Sequence, residues 1–153
     1  MRNSTDVYSL LKNQNNVRLI VLTVSLILIN GDTMYEDNVA VNKSKHFALR
    51  IIKLYKYLTN EKSEYIMSKQ IMRSGTSIGA NIRESVRGQS KADFYAKMNI
   101  ALKEASETEY WLELLYESEY ISKQLFDSIY AECQEIIRLL ISITKTQNLK
   151  MKQ

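Results

Sequence analysis

Apolar residues recur at spacings of three and four along most of the chain, a pattern that predicts helices with one buried face each. The first predicted helix begins at Asn42 or Ser44, either of which can cap it, and ends at about Leu58. The second begins at Ser63 and fades near Gly88. The apolar faces are formed by Phe47, Ile51, Leu54, Tyr55 and Leu58 in the first helix and by Ile71, Gly75, Ile78 and Ile82 in the second.

The third helix, predicted over Lys91–Glu117, has the most regular pattern in the chain. Ser90 and Asp93 resemble a capping box in front of it, with aspartate in place of glutamate. Ser122 is the predicted cap of a fourth helix, which frays after Lys145. Apolar positions alternate by four and three in both helices: Phe94, Met98, Ala101, Ala105, Thr108, Leu112 and Leu115 in the third, and Leu125, Ile129, Ile136, Leu140 and Ile143 in the fourth.

Short connections between these long helices predict that neighbours in sequence run antiparallel. The 153 residues include no proline and only four glycines, so the chain lacks the turn residues that a β-sandwich or a doubly wound fold needs. With 45% hydrophobic and 25% charged residues, the composition is that of a globular protein. The predicted fold is all-α, an antiparallel up-down-up-down four-helix bundle over residues 34–147 with a polar tail over residues 148–153.

Residues 1–33 do not continue this pattern. Val17–Ile29 is apolar, but it is shorter than the about 20 residues that a membrane-spanning helix needs. It is long enough for the apolar part of a signal peptide, yet the preceding stretch is long and polar, and no small-x-small cleavage pattern follows. We predict that translation starts at Met34 and that residues 1–33 lie outside the core; a genuine signal or anchor is the alternative.

Residue types that support catalysis or metal binding are scarce. The single histidine, His46, and the single cysteine, Cys133, are too few for a zinc site. The chain has no Glu-x-x-His pair for a di-iron bundle, and it has no phosphate-binding loop or dinucleotide fingerprint. A catalytic serine would need a neighbouring base, and only His46 could serve. These features predict no enzyme, no cofactor and no metal site, and one unpaired cysteine fits a reducing compartment.

Small and polar residues interrupt the second helix between positions 73 and 85. A glycine inside a helix costs about 1 kcal/mol relative to alanine, so a close approach of another helix at Gly75 should compensate. The favoured interpretation of the polar residues is a buried network that sets helix register, and a ligand or acid–base site is the alternative. They are Ser74, Ser77 and Asn81 on the second helix and Glu104, Ser106 and Glu109 on the third.

Charge is sorted along the chain, whose formal net charge is +4. The second helix and the turn after it are basic, whereas the third helix is acidic, with Glu104, Glu107, Glu109, Glu113, Glu117 and Glu119 on it or just after it. The two sets could form ordinary surface ion pairs, join protomers in a ring, or leave the basic set to bind nucleic-acid phosphates. With two lysines of the first helix, the candidates for phosphate contact are Lys53, Lys56, Lys69, Arg73, Arg83, Arg87 and Lys91.

Aromatic residues are abundant, with ten tyrosines in the chain. Tyrosine and tryptophan are enriched at protein interfaces, and they also stack on unpaired bases. A core role for most of them is favoured over base stacking. Those concentrated in the last two helices are Tyr110, Trp111, Tyr116, Tyr120 and Tyr130.

Two motifs carry a family resemblance: Ser77-Ile78-x-x-Asn81-Ile82-x-Glu84 and Ala105-Ser106-x-x-Glu109. With their surroundings, from about Lys43 to Thr146, they resemble the bacterial four-helix bundle family first noticed as proteins encoded in intervening sequences of large-subunit ribosomal RNA genes. Members often carry glycine directly after the matching glutamate, where this chain has Ser85. The resemblance implies a cytoplasmic protein, commonly a homopentamer, in which the motif residues are structural.

The resemblance extends to the accessory variability proteins of diversity-generating retroelements, which implies binding to nucleic acid and to a reverse transcriptase. Together with the basic residues, it predicts a non-enzymatic homo-oligomer that binds structured RNA or DNA, or a nucleic-acid enzyme, and that does not act at a membrane. The rival prediction is a protein-interaction scaffold whose charged faces are used only in assembly of the homo-oligomer.

Overall fold

The structure, a computed structural model, describes the backbone of residues 38–150 and the side chains of residues 38–145. This part of the chain contains four helices: α1 (Val39–Glu61), α2 (Met67–Val86), α3 (Lys91–Glu117) and α4 (Lys123–Lys150). Each helix packs against the next, and α1 also packs against α4, although more sparsely. Short connections make the neighbours antiparallel, so the predicted all-α four-helix bundle is confirmed.

Several predictions concern residues at or beyond the limits of the described part. The extension over residues 1–33 and the start at Met34 lie outside the described residues. The last helix was expected to fray after Lys145, but it continues to Lys150. Residues 148–150 of the predicted tail are therefore helical, and residues 151–153 lie outside the described part. No helix within residues 38–150 is long and apolar enough to cross a membrane.

The start of α1 differs from the prediction. Asn38, four and six residues upstream of the expected caps Asn42 and Ser44, accepts hydrogen bonds from the backbone N–H groups of Ala40 (3.0 Å) and Val41 (3.3 Å). The predicted cap Ser44 is buried inside the helix, where its hydroxyl donates to the carbonyl of Val41. Asparagine caps as well as serine does, and packing decides between them, because Ser44 is buried next to Gly79 of α2.

The start of α2 also differs. Ser63, expected to open the helix, has a φ of 52° and lies in the connection, and α2 begins at Met67. The side chain of Glu64 provides the cap instead, accepting hydrogen bonds from three backbone N–H groups. The other two caps are confirmed, since Ser90 accepts from the N–H of Asp93 and Ser122 accepts from that of Leu125.

The bundle core consists mainly of the predicted apolar faces. All seven predicted positions of α3 are buried, and so are all four predicted positions of α2. Tyr55 of α1 and Leu125 of α4 are only half-buried, at the edges of their faces. Cys133, which was not assigned to the core, is completely buried in it.

α1 packs closely against α2 at Gly75. A Cβ atom there would lie 2.8 Å from Cγ1 and 2.9 Å from Cγ2 of Ile51, which is fully buried. The expectation that Gly75 allows another helix to come close is therefore confirmed. One turn further on, a Cβ on Gly79 would meet Ser44 at an ordinary contact distance of 3.5 Å.

Candidate nucleic-acid interface

The basic residues of α2 form one stripe along its outer side. Lys69, Arg73, Arg83 and Arg87 are joined by Thr76 and Ala80 at alternating spacings of four and three, which places them on a single helical face. The four basic residues are exposed, on the side of α2 opposite its buried isoleucines. At 1.5 Å per residue, the stripe is roughly 27 Å long.

The packing of α1 on α2 shows where the two α1 lysines lie relative to this stripe. Contacts of Gly75 with Ile51 and of Gly79 with Ser44 establish the register of the antiparallel pair. That register places Lys53 at about the level of Arg73, and Lys56 at about the level of Lys69. Both lysines are exposed on the outer side of α1, and Lys91 is exposed just beyond the α2–α3 turn. Lys56, Lys91 and the stripe form one surface, over the outer side of the α1–α2 pair and the turn after it, which we call the basic face. Lys53 instead lines a cleft between α1 and α4, together with Leu125, Ile129 and Glu132 of α4.

Arg73 is engaged by the acidic helix of the same protomer. Arg73 forms ion pairs with Glu107 and with Glu104 of α3, the latter at 3.6 Å. The hydrogen bond from Arg73 to Glu107, and then the charges of both carboxylates, raise the pKa of the guanidinium. On the same side, Lys97 lies 2.6 Å from Glu84. Part of the charge sorting therefore consists of ordinary ion pairs between α2 and α3, and a phosphate would have to compete with Glu104 and Glu107 for Arg73.

The family-motif residues serve in packing and in local hydrogen bonds. Ile78, Ile82 and Ala105 are buried in the core. Asn81 donates to the carbonyl of Ser77 one turn earlier, at 2.9 Å. Glu84 is exposed and pairs with Lys97, as described above.

A buried hydrogen bond between side chains links α2 to α3, and one of its partners, Thr108, was predicted as part of the apolar seam of α3. The hydroxyl oxygens of Ser74 and Thr108 lie 2.9 Å apart, and both side chains are fully buried. The expectation that Ser106 contributes to this network was wrong, because Ser106 is exposed. It follows Ala105 directly, and the heptad pattern turns it away from the seam.

A second polar cluster joins α3 to α4. The hydroxyl of Tyr130 lies 2.9 Å from a carboxylate oxygen of Glu109 and 3.1 Å from one of Glu113, and the Gln134 amide also donates to Glu109. The hydrogen bond with Glu109, followed by burial, raises the pKa of Tyr130 to about 12. Tyr130 therefore stays protonated at neutral pH and acts as a donor to the carboxylates.

The remaining chemistry-bearing residues are held in inert settings. Burial raises the pKa of the Cys133 thiol to about 12, which removes its nucleophilic form at neutral pH. His46 has a 70% exposed side chain and faces Glu132 of α4 at 3.8 Å, whereas the polar residues of α2 face α3. Among the described residues, no group of three or more histidine, cysteine, aspartate or glutamate side chains could hold a metal ion.

A cleft at one end of the bundle was not anticipated from the sequence. It has a volume of about 540 Å³ and lies where α1 ends and where the chain turns from α3 into α4. Tyr116 and Tyr120 were noted only because aromatic residues are concentrated in the last two helices. Nothing in the sequence indicated that Tyr57 or Lys62 would lie beside them. Tertiary packing of the bundle brings these distant segments together, and no local pattern could have revealed it.

Comparison with known proteins agrees with this architecture. The chain matches the 23S rRNA-intervening sequence protein family over residues 36–142. It is also similar to the crystal structure of a protein of unknown function from the S23 ribosomal protein family of Bacteroides thetaiotaomicron, with 62% sequence identity and a TM-score of 0.70. That similarity covers 71% of this chain and 97% of the other, while no curated protein matches. The chain belongs to the 23S rRNA-intervening sequence protein family.

Proposed function

We propose that the protein binds nucleic acid through the basic face, without catalysing a reaction, and that it does so in the cytoplasm as a homo-oligomer. The exposed stripe along α2 carries this proposal, because it presents basic side chains over roughly 27 Å on a rigid helix. Phosphates recur every few ångströms along a nucleic-acid strand, so a stripe of this length can contact several of them at once. Lys56 widens the same face toward α1, whereas Lys53 lies on the α4 side of that helix.

The name of one relative favours RNA as the nucleic acid. The similar crystal structure is that of a protein assigned to the S23 ribosomal protein family. Helices of double-stranded RNA are recognised mainly by shape and by contacts to phosphates and 2′-hydroxyls, which a flat basic face can supply. A nucleic-acid enzyme remains the alternative partner for the same face.

Reversing two charges of the stripe tests the proposal. We expect the double variant Arg83→Glu and Arg87→Glu to weaken binding to a labelled structured RNA hairpin by at least about tenfold at moderate salt, because phosphate contacts are lost and repulsion is introduced. The helical content should not change, since both side chains are exposed. Fluorescence anisotropy over a series of salt concentrations measures the affinity, and circular dichroism measures the helical content.

The matched control is the double variant Lys103→Glu and Arg138→Glu. It changes the net charge by the same amount at exposed positions of α3 and α4, away from the basic face. We expect this control to retain binding to the hairpin with only a small loss from the altered net charge. Equal losses in the two double variants would mean that overall charge, rather than the basic face, determines the affinity.

The scaffold alternative has its own supporting observation on α3. Ile100 and Tyr110 are 40% and 53% exposed, and they share an outer face with Leu114 at heptad spacing. Exposed apolar residues on an acidic helix are suited to contact with another protomer. In this alternative the basic face of one protomer meets the α3 of the next and has no other ligand.

Salt separates the two functions. We expect high salt to strip bound nucleic acid while leaving the oligomer intact if the basic face holds phosphates. If that face is used only in assembly, high salt should instead dissociate the oligomer. Light scattering on a sizing column, with absorbance recorded at protein and nucleic-acid wavelengths, measures both. A salt-resistant oligomer that takes up no added RNA would contradict the proposal.

A further inference from the structure

The cleft at the end of the bundle combines aromatic and acidic side chains. Three tyrosines line it, together with three charged residues, and its volume of about 540 Å³ is within the range of small-ligand sites, about 300–1,000 Å³. The tyrosines are half-buried, so their rings contribute to the cleft wall, whereas the charged side chains are exposed at its rim. The tyrosines are Tyr57, Tyr116 and Tyr120, and the charged residues are Lys62, Glu117 and Glu119.

The electrostatics of this cleft favour a cation. Two carboxylates and the negative faces of the tyrosine rings outweigh the single ammonium group, and both attract positive charge. The ammonium of Lys62 already lies 5.8 Å from the ring centroid of Tyr57, within the about 6 Å range of a cation–π contact. A phosphate group would approach both carboxylates at short range, so the cleft differs in kind from the basic face.

The cleft wall is held in place by the backbone and by ring stacking. After α3 ends, the N–H of Glu119 bonds to the carbonyl of Tyr116, and that of Tyr120 bonds to the carbonyl of Leu115. This is the hydrogen-bond pattern of a Schellman motif, and Glu119 occupies its left-handed position with a φ of 61°. The ring of Tyr116 stacks on Phe126 at 4.6 Å. The site is therefore largely formed before any ligand arrives.

We propose that this cleft binds an arginine or lysine side chain from a basic segment of a partner protein. The guanidinium or ammonium group would lie against the tyrosine rings and pair with Glu117 and Glu119, and Lys62 would move aside. Arginine fits best, because its planar group stacks on aromatic rings and can pair with a carboxylate through two hydrogen bonds. The proposal concerns a surface separate from the basic face and does not depend on nucleic-acid binding.

The test measures, by calorimetry, the binding of a short peptide of alternating glycine and arginine residues to the full chain. The matched peptide has citrulline in place of arginine, which keeps the shape and removes the charge. We expect the arginine peptide to bind and the citrulline peptide to bind at least about tenfold more weakly. Replacing Tyr120 by alanine should weaken binding by between about twofold and thirtyfold, whereas Tyr110→Ala, at an exposed tyrosine outside the cleft, should not.

Variants at the charged residues distinguish a cation from an anion as the ligand. Glu117→Gln combined with Glu119→Gln should weaken binding of the arginine peptide, and Lys62→Ala should strengthen it by removing a competing positive charge. All of these side chains are exposed, so the variants should fold, which thermal unfolding checks. Equal binding of the two peptides would overturn the proposal, as would weaker binding by Lys62→Ala. Binding of a single-stranded RNA oligonucleotide that is lost in Tyr120→Ala would also overturn it, because the cleft would then be a base-stacking site.

Discussion

Replacement of Glu64 by alanine is expected to lower the free energy of unfolding by about 3 kcal/mol, one of the largest effects of any single substitution in this chain. The side chain is only 6% exposed, in the connection between α1 and α2. One carboxylate oxygen accepts from the N–H groups of Ile66 (2.9 Å) and Met67 (2.8 Å), and the other accepts from Ser68 (2.6 Å).

These three donors lie at the start of α2, where backbone N–H groups have no partner within the helix. Alanine removes this acceptor, and a buried donor left unsatisfied, as at Ser68, costs about 1–3 kcal/mol. The N–H groups of Ile66 and Met67 are only partly buried, so their loss should cost less. The negative charge also interacts favourably with the helix N-terminus. The remaining connection cannot easily rearrange to compensate, because Ser63 is already in the left-handed region and Ser68 bonds back to the carbonyl of Glu64.

Urea unfolding monitored by circular dichroism measures the loss. Glu64→Gln keeps an acceptor oxygen and should cost less than Glu64→Ala. The matched control is Glu61→Ala, at an exposed glutamate at the end of α1, which should change stability by no more than about 0.5 kcal/mol. Similar losses in Glu61→Ala and Glu64→Ala would show that the cap is unimportant.

The pH dependence provides a second check on Glu64. Burial by itself raises the pKa of this carboxyl. The hydrogen bonds from Met67, Ser68 and Ile66 together lower the pKa by more than burial raises it, so the pKa lies below the ordinary value of 4.5. A carboxyl whose pKa is lowered by folding stabilises the protein above its unfolded-state pKa, and that contribution is lost as the pH falls through the folded-state pKa. The stability difference between the wild-type protein and Glu64→Gln should therefore shrink in acid. A difference that stays constant down to strongly acidic pH would contradict this assignment.

The two glycines of α2 are expected to respond to alanine with opposite signs. Gly75→Ala should lower the free energy of unfolding by about 2 kcal/mol, because the new Cβ would lie under 3.0 Å from both γ-carbons of Ile51. These carbons are next to the α1 backbone and cannot move away easily. Gly79→Ala should instead raise it by about 0.5–1 kcal/mol, since its Cβ would meet Ser44 at an ordinary distance and alanine favours the helix.

A double-mutant cycle with Ile51→Ala isolates the cause. Ile51→Ala alone should be strongly destabilising, by about 2–5 kcal/mol, because the side chain is fully buried. In that background the γ-carbons are absent and only the Cβ of residue 51, at 3.2 Å, remains close, so Gly75→Ala should cost much less than in the wild-type protein. If Gly75→Ala costs the same with and without Ile51, the close approach of α1 and α2 is not the reason for the glycine.

Part of the candidate site can be predicted from spacing alone. The positions of Arg83 and Arg87 on one exposed face of α2 follow from the helical repeat, and the fold class follows from the same repeat. The engagement of Arg73 by α3 could not be predicted, because it depends on which helices are neighbours and in which register they pack. The same holds for the level of Lys53 and Lys56 relative to the stripe.

The local sequence pattern determined the bounds of a helix where only one cap and one regular apolar repeat were present. α3 begins and ends as predicted, with all seven seam positions buried, because its heptad pattern is regular and Ser90 is the only good cap before it. The start of α1 was mispredicted as Asn42 or Ser44 because residue type alone does not distinguish them from Asn38, the cap in the structure. Tertiary packing resolved this choice by burying Ser44 next to α2.

The rest was decided only when the helices came together. The hydrogen bond between Ser74 and Thr108, the close approach at Gly75 and the tyrosine-lined cleft all join segments far apart in the chain. Helical periodicity depends on neighbours three and four residues away, so it specifies which face of each helix is buried. Which residues of two helices meet depends on register and interhelical distance, and these are set by the packing of whole faces against one another.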